Sequence, residues 1–111
     1  MSVEIEGVRG NDIYDRHAEL LYSLGVSGQK FYDTIWTKGI EETGGKIFHD
    51  GGQFDKSQLD AVMRELKRLH DWAGANLDEK DKSYMQWKIE NLLNTLPGVF
   101  EKYEDIILYI Y

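Results

Sequence analysis

The segment Val99-Phe100-Glu101-Lys102-Tyr103-Glu104-Asp105-Ile106-Ile107-Leu108-Tyr109-Ile110-Tyr111 fits two periodicities. Val99, Phe100, Tyr103, Ile106, Ile107 and Ile110 fall on one face at helical spacing, whereas Ile106 to Tyr111 alone is rich enough in β-formers to make a strand. Taken as a helix, it is the fifth of five amphipathic segments, and the expected fold class is all-α. The segment before it points the same way. Met85, Ile89, Leu92, Leu93 and Leu96 form an apolar stripe behind Asp78-Glu79-Lys80-Asp81, whose acids suit the positive end of a helix dipole, and Pro97-Gly98 is expected to close this fourth helix.

Working towards the N-terminus, Asp55 and Gln58 have the spacing of a capping box, with Phe54 and Leu59 as a hydrophobic staple. The third helix then buries Leu59, Val62, Met63, Leu66, Leu69 and Ala73, shows Asp60, Arg64, Lys67, Arg68 and Asp71 to solvent, and stops at Gly74 and Asn76. Two glycine doublets, Gly44-Gly45 and Gly51-Gly52, bracket residues 46–50, so 43–54 is expected to be a loop or small hairpin. A second helix is expected from an N-cap at Ser27 to about Glu42, its Phe31, Tyr32, Ile35, Trp36 and Ile40 spread over an arc broad enough to meet more than one neighbour. From Asp12, Ile13, His17, Leu20, Leu21 and Leu24 recur at helical spacing up to Gly25, which makes the first helix. Residues 1–10 form an arm in which Val3 and Ile5 alternate with Glu4 and Glu6, a short strand at most. The expected architecture is one domain over 1–111, a compact antiparallel bundle of about five helices.

A chain of 111 residues with 41% hydrophobic and 30% charged side chains is apolar enough to fold around one core. Twenty acids against thirteen Lys and Arg leave a net charge of -7, which opposes attraction to nucleic acid or an anionic membrane and favours a basic protein surface. The lack of cysteine excludes disulfides, thiolate metal sites and a thiol nucleophile. The opening residues lack the charge and apolar pattern of a signal peptide, and no run approaches ~18 apolar residues, so a cytoplasmic, non-spanning protein is expected.

Catalytic signatures are missing. Gly7-Val8-Arg9-Gly10 and Gly25-Val26-Ser27-Gly28-Gln29-Lys30 lack the spacing of a phosphate loop, and neither a Gly-x-Ser-x-Gly elbow nor a His-Glu-x-x-His pair occurs. Glu41-Glu42 and Glu104-Asp105 read as solvated acids in so acidic a chain. His17 and His70 fall among apolar residues and read as buried imidazoles; should helices one and three be neighbours, the two rings and a carboxylate would make a metal site. His49 lies in the glycine-bracketed loop. The expectation is no catalytic residue, no metal and no cofactor, with a metal-dependent enzyme using His17 and His70 as the weakest of three alternatives.

Three Trp, seven Tyr and four Phe exceed what a minimal core requires. On a helical wheel Trp87 lies about 160° from the Met85/Ile89/Leu96 stripe, on the side of Glu90 and Asn94, with Tyr84 beside it. Trp72 lies off the stripe of the third helix. Tyr84, Trp87 and Trp72 are therefore the expected anchors of a partner-binding surface, with Glu90, Asp78, Glu79 and Asp81 as its acidic rim. In general character the chain resembles bacterial toxin-immunity proteins and phage-encoded inhibitors of nucleases or defence enzymes, although no motif carries that likeness. It implies a small inhibitor that occludes a basic site on another protein, as a monomer or small homo-oligomer. The alternative from a different class is a structural protein that self-associates through the off-stripe aromatics.

Overall fold

The alternation of Val3 and Ile5 with Glu4 and Glu6 belongs to a central strand. A computed structural model describes residues 2–9 and 20–111. In it, β1 (Ser2–Arg9) pairs antiparallel with β2 (Leu20–Gly28) on one side and with β4 (Ile106–Ile110) on the other. The short β3 (Gln53–Phe54) closes the far side of β4, so the sheet runs β2-β1-β4-β3, all antiparallel. The protein is thus α+β with a four-stranded sheet, which corrects the expected all-α bundle of five helices.

The correction has a definite cause in the last segment. Ile106, Leu108 and Ile110 are buried, while Ile107 and Tyr109 between them are half-buried, a period of two. Ile106 and Ile110 also suit a period of 3.6, so the short run could not distinguish the two. Neighbours made the choice, because β1 and β3 occupy both edges of β4 and pair its backbone groups. The first expected helix fails similarly: Leu20, Tyr22 and Leu24 stand opposite Val8, Gly7 and Ile5 in β2, while Asp12 to Ala18, including His17, lie outside the described residues. Residues 46–50 form no hairpin, since β3 pairs with β4 rather than with its own sequence neighbours.

Among the described residues three helices cover the sheet. Helix α1 spans 29–43, with α-helical Gln29–Phe31, a π-helical stretch Tyr32–Trp36 and α-helical Thr37–Thr43. Its N-cap is Gly28, with no side-chain bond, and the Ser27 hydroxyl donates to the Gly28 carbonyl instead of capping. Helix α2 (Leu59–Asn76) follows a 3-10 turn, Lys56–Gln58, whose start carries the expected capping box of Asp55 and Gln58. Helix α3 (Glu79–Lys102) does not end at Pro97 but runs through it. Proline in a helix interior costs about 3 kcal/mol, and full burial of Phe100 and near-complete burial of Val99 beyond it contribute a gain of similar size.

Val3, Ile5, Ile106, Leu108 and Ile110 from the sheet join Val62, Leu66 and Leu69 of α2 and Met85, Ile89, Leu92 and Leu96 of α3 in one core. Among the described residues, no helix is long and apolar enough to cross a membrane.

Candidate functional site

The Asp78 side chain accepts a hydrogen bond from the Asp81 backbone N–H at 2.9 Å and starts α3 in a fixed phase. That phase turns Met85, Ile89, Leu92 and Leu96 inward and leaves Trp87 58% exposed. Trp87 does not stand alone. Its ring centre is 6.5 Å from that of Tyr84, which meets Phe31 of α1 edge to face at 4.8 Å, and the Lys88 ammonium lies 5.3 Å from the indole centre. A row of three rings therefore crosses from α3 to α1.

Beside Phe31 lies an open groove of about 570 Å³ between α1 and the first turns of α3. Phe31, Thr34 and Ile35 line it from α1, together with Lys30, while Lys80 and Asp81 line it from α3. The π-helical stretch contributes Thr34 and Ile35 to this wall. Within it the Thr37 backbone N–H and hydroxyl both donate to the Tyr32 carbonyl, five residues back.

Of the residues expected to bind a partner, the structure brings Tyr84 and Trp87 together and sets Asp81 in the adjoining groove. Trp72 is elsewhere: it is 8% exposed, packed over Gly39 and hydrogen-bonded through its indole N–H to Glu42 at 3.3 Å. A Cβ on Gly39 would sit 2.9 Å from the Trp72 ring, so only glycine lets the two helices approach this closely. The expected acidic rim has internal partners. Glu79 pairs with Lys82 at 2.8 Å, Glu90 lies 3.7 Å from His70, and Asp78 is the helix cap. Lys30, Lys80, Lys88, Phe31 and Ile35 were not among the expected site residues. The breadth of the apolar arc on the second expected helix was the signal for Phe31 and Ile35, which sit i and i+4 apart, and no sequence signal singled out the three lysines.

No family model, curated protein or solved structure matches the chain. The remaining polar side chains near the loop bond backbone groups. Tyr32 is buried and accepts the Asp50 backbone N–H at 2.7 Å; burial pushes its phenol up to about 12 against the opposing effect of that bond, so it stays neutral near pH 7. His49 hydrogen-bonds through Nδ1 to the Asp50 carbonyl. Glu65, 8% exposed, accepts backbone N–H groups from Lys46, Ile47 and Phe48. Among the described residues no group of three or more His, Asp or Glu is placed to hold a metal ion, and His17 lies outside them.

Proposed function

We propose that the protein is a non-enzymatic binding protein that covers a site on a partner protein, with Trp87 and Tyr84 as its anchors. One observation carries this. Trp36 and Trp72 are 0% and 8% exposed, whereas Trp87 shows 58% of its surface, with the Tyr84 ring centre 6.5 Å away and the Lys88 ammonium over its face. An indole that is exposed yet braced loses little conformational freedom on binding, which is the character of an interface hot spot.

The net charge of -7 supports a basic partner, because at long range the field of the whole molecule steers the encounter. A nuclease or toxin with a cationic cleft fits that description, and occlusion by an acidic cover would inhibit it. The setting is the cytoplasm in this reading, where a chain without cysteine folds without an oxidising compartment.

The test is Trp87→Ala against a purified partner, with the fold checked by circular dichroism. Loss of at least ~2 kcal/mol of binding, about thirtyfold in Kd, is expected. An unchanged Kd with an intact fold discards Trp87 as the anchor. The association rate should also fall as salt rises, and a rate indifferent to salt discards the steering.

A further inference from the structure

The groove beside the aromatic row carries the opposite charge to the molecule as a whole. Lys30 reaches it from α1 and Lys80 from the first turn of α3, both exposed, and among the described residues neither forms an ion pair. The nearby acids are engaged elsewhere: Glu79 with Lys82, and Asp33 with the Gln29 amide at 2.9 Å. Lys88 adds a third cation over the Trp87 ring. Among the described residues Asp81 is the one acid lining the groove, so two ammonium groups face one carboxylate there in a chain whose acids outnumber its bases by seven.

Between those lysines the wall is made of Phe31 and Ile35, both only partly buried, with the Thr34 side chain between them. The backbone behind it is irregular in the way that marks functional sites. Tyr32–Trp36 is π-helical, a geometry that is rare, less favourable than an α-helix and concentrated where proteins bind or react. The space, about 570 Å³, is within the size range of ligand clefts and is open to solvent.

We infer that this groove receives an acidic segment of a partner protein, in which an aromatic or aliphatic side chain seats on Phe31 and Ile35 while an adjacent Asp or Glu is held by Lys30 and Lys80. The inference rests on the docking role of the Trp87 surface and adds the chemistry of what docks. It is compatible with a partner that is basic overall. Net charge acts at a distance, and salt screens it beyond ~8 Å, whereas at contact the nearest charges decide.

Short random peptides displayed on phage, selected against the intact protein, read this chemistry directly. Enriched peptides should pair Asp or Glu with Phe, Trp, Leu or Ile. Their synthetic forms should shift the NMR signals of Phe31 and Ile35 and bind the Lys30→Glu/Lys80→Glu variant at least about tenfold more weakly. Both substitutions lie at exposed positions, and an unchanged urea midpoint verifies the fold. No enrichment, a basic consensus, or equal affinity for the charge-reversed variant overturns the inference. Trp87→Ala separates the two ideas: peptides lost with Trp87→Ala but indifferent to lysine reversal keep the Trp87 anchor and sink the acidic segment. Peptides lost only on lysine reversal keep the acidic segment and sink the Trp87 anchor.

Discussion

Oε1 of Glu65 lies 3.0 Å from the backbone nitrogen of Phe48, and this contact shapes the glycine-rich loop. The same oxygen accepts the N–H groups of Lys46 and Ile47 at 3.1 Å each, and Oε2 lies 3.2 Å from the Ile47 nitrogen. Three successive amides thus converge on one carboxylate, a nest for an anion that the protein supplies from its own helix. Gly44, with φ of +74°, turns the chain into position. Phe48 is then fully buried, its ring 5.9 Å from that of Trp36.

Replacing Glu65 with Ala leaves those amides, of which that of Phe48 is buried, without an acceptor. Glu65→Ala is expected to cost about 3 kcal/mol, since charge-assisted hydrogen bonds are lost and the orphaned groups stay desolvated. Glu65→Gln keeps one acceptor oxygen and should cost less. Urea unfolding of both variants checks the order; equal stability of Glu65→Ala and the unaltered protein would show the nest to be idle.

The tryptophans should separate cleanly. Trp72→Ala empties a buried site against Gly39 and is expected to cost about 3–5 kcal/mol, whereas Trp87→Ala should stay within about 0.5 kcal/mol. Iodide quenching of fluorescence offers a second measurement. The accessible fraction should disappear in Trp87→Phe and survive in Trp72→Phe.

Alkaline pH should weaken the fold through Tyr32. Its phenol ionises near 10 when unfolded and at about 12 when folded, so both states are neutral below 10 and the stability is fully present there. As pH rises from 10 to about 12 the unfolded chain loses the proton first, and stability falls throughout that window. Tyr22, also raised by burial, steepens the fall. Urea midpoints across this range should decline less steeply in Tyr32→Phe; identical slopes would mean that Tyr32 is not the group responsible.

Asp78 anchors the phase of α3, and with it the outward direction of Trp87. Asp78→Ala should lower stability by about 1 kcal/mol, and Asp78→Ser should recover most of that loss because serine also caps. Thermal unfolding distinguishes the two, and equal loss in both would argue against the cap.

Several features were legible one segment at a time. The box of Asp55 and Gln58, the acidic start of α3 and the outward placement of Trp87 beside Tyr84 follow from contacts within a few residues. The Trp72 environment was not legible in this way. On the wheel it lies off the stripe, yet α1 comes close enough at Gly39 to cover it. Glu65 left a trace, an acid among Val62, Leu66 and Leu69, but its partners are backbone amides 17 to 19 residues away, which side-chain periodicity does not register.

Composition and local pattern alone determined a single apolar core, an acidic surface, the existence of all three described helices and the exposure of Trp87, because each depends mainly on residues close in sequence. Tertiary structure decided whether Leu20–Gly28 and Ile106–Ile110 became strands. A strand draws its hydrogen bonds from partners distant in sequence, and a short run of Leu, Ile and Tyr suits either period until β1 lies down between them.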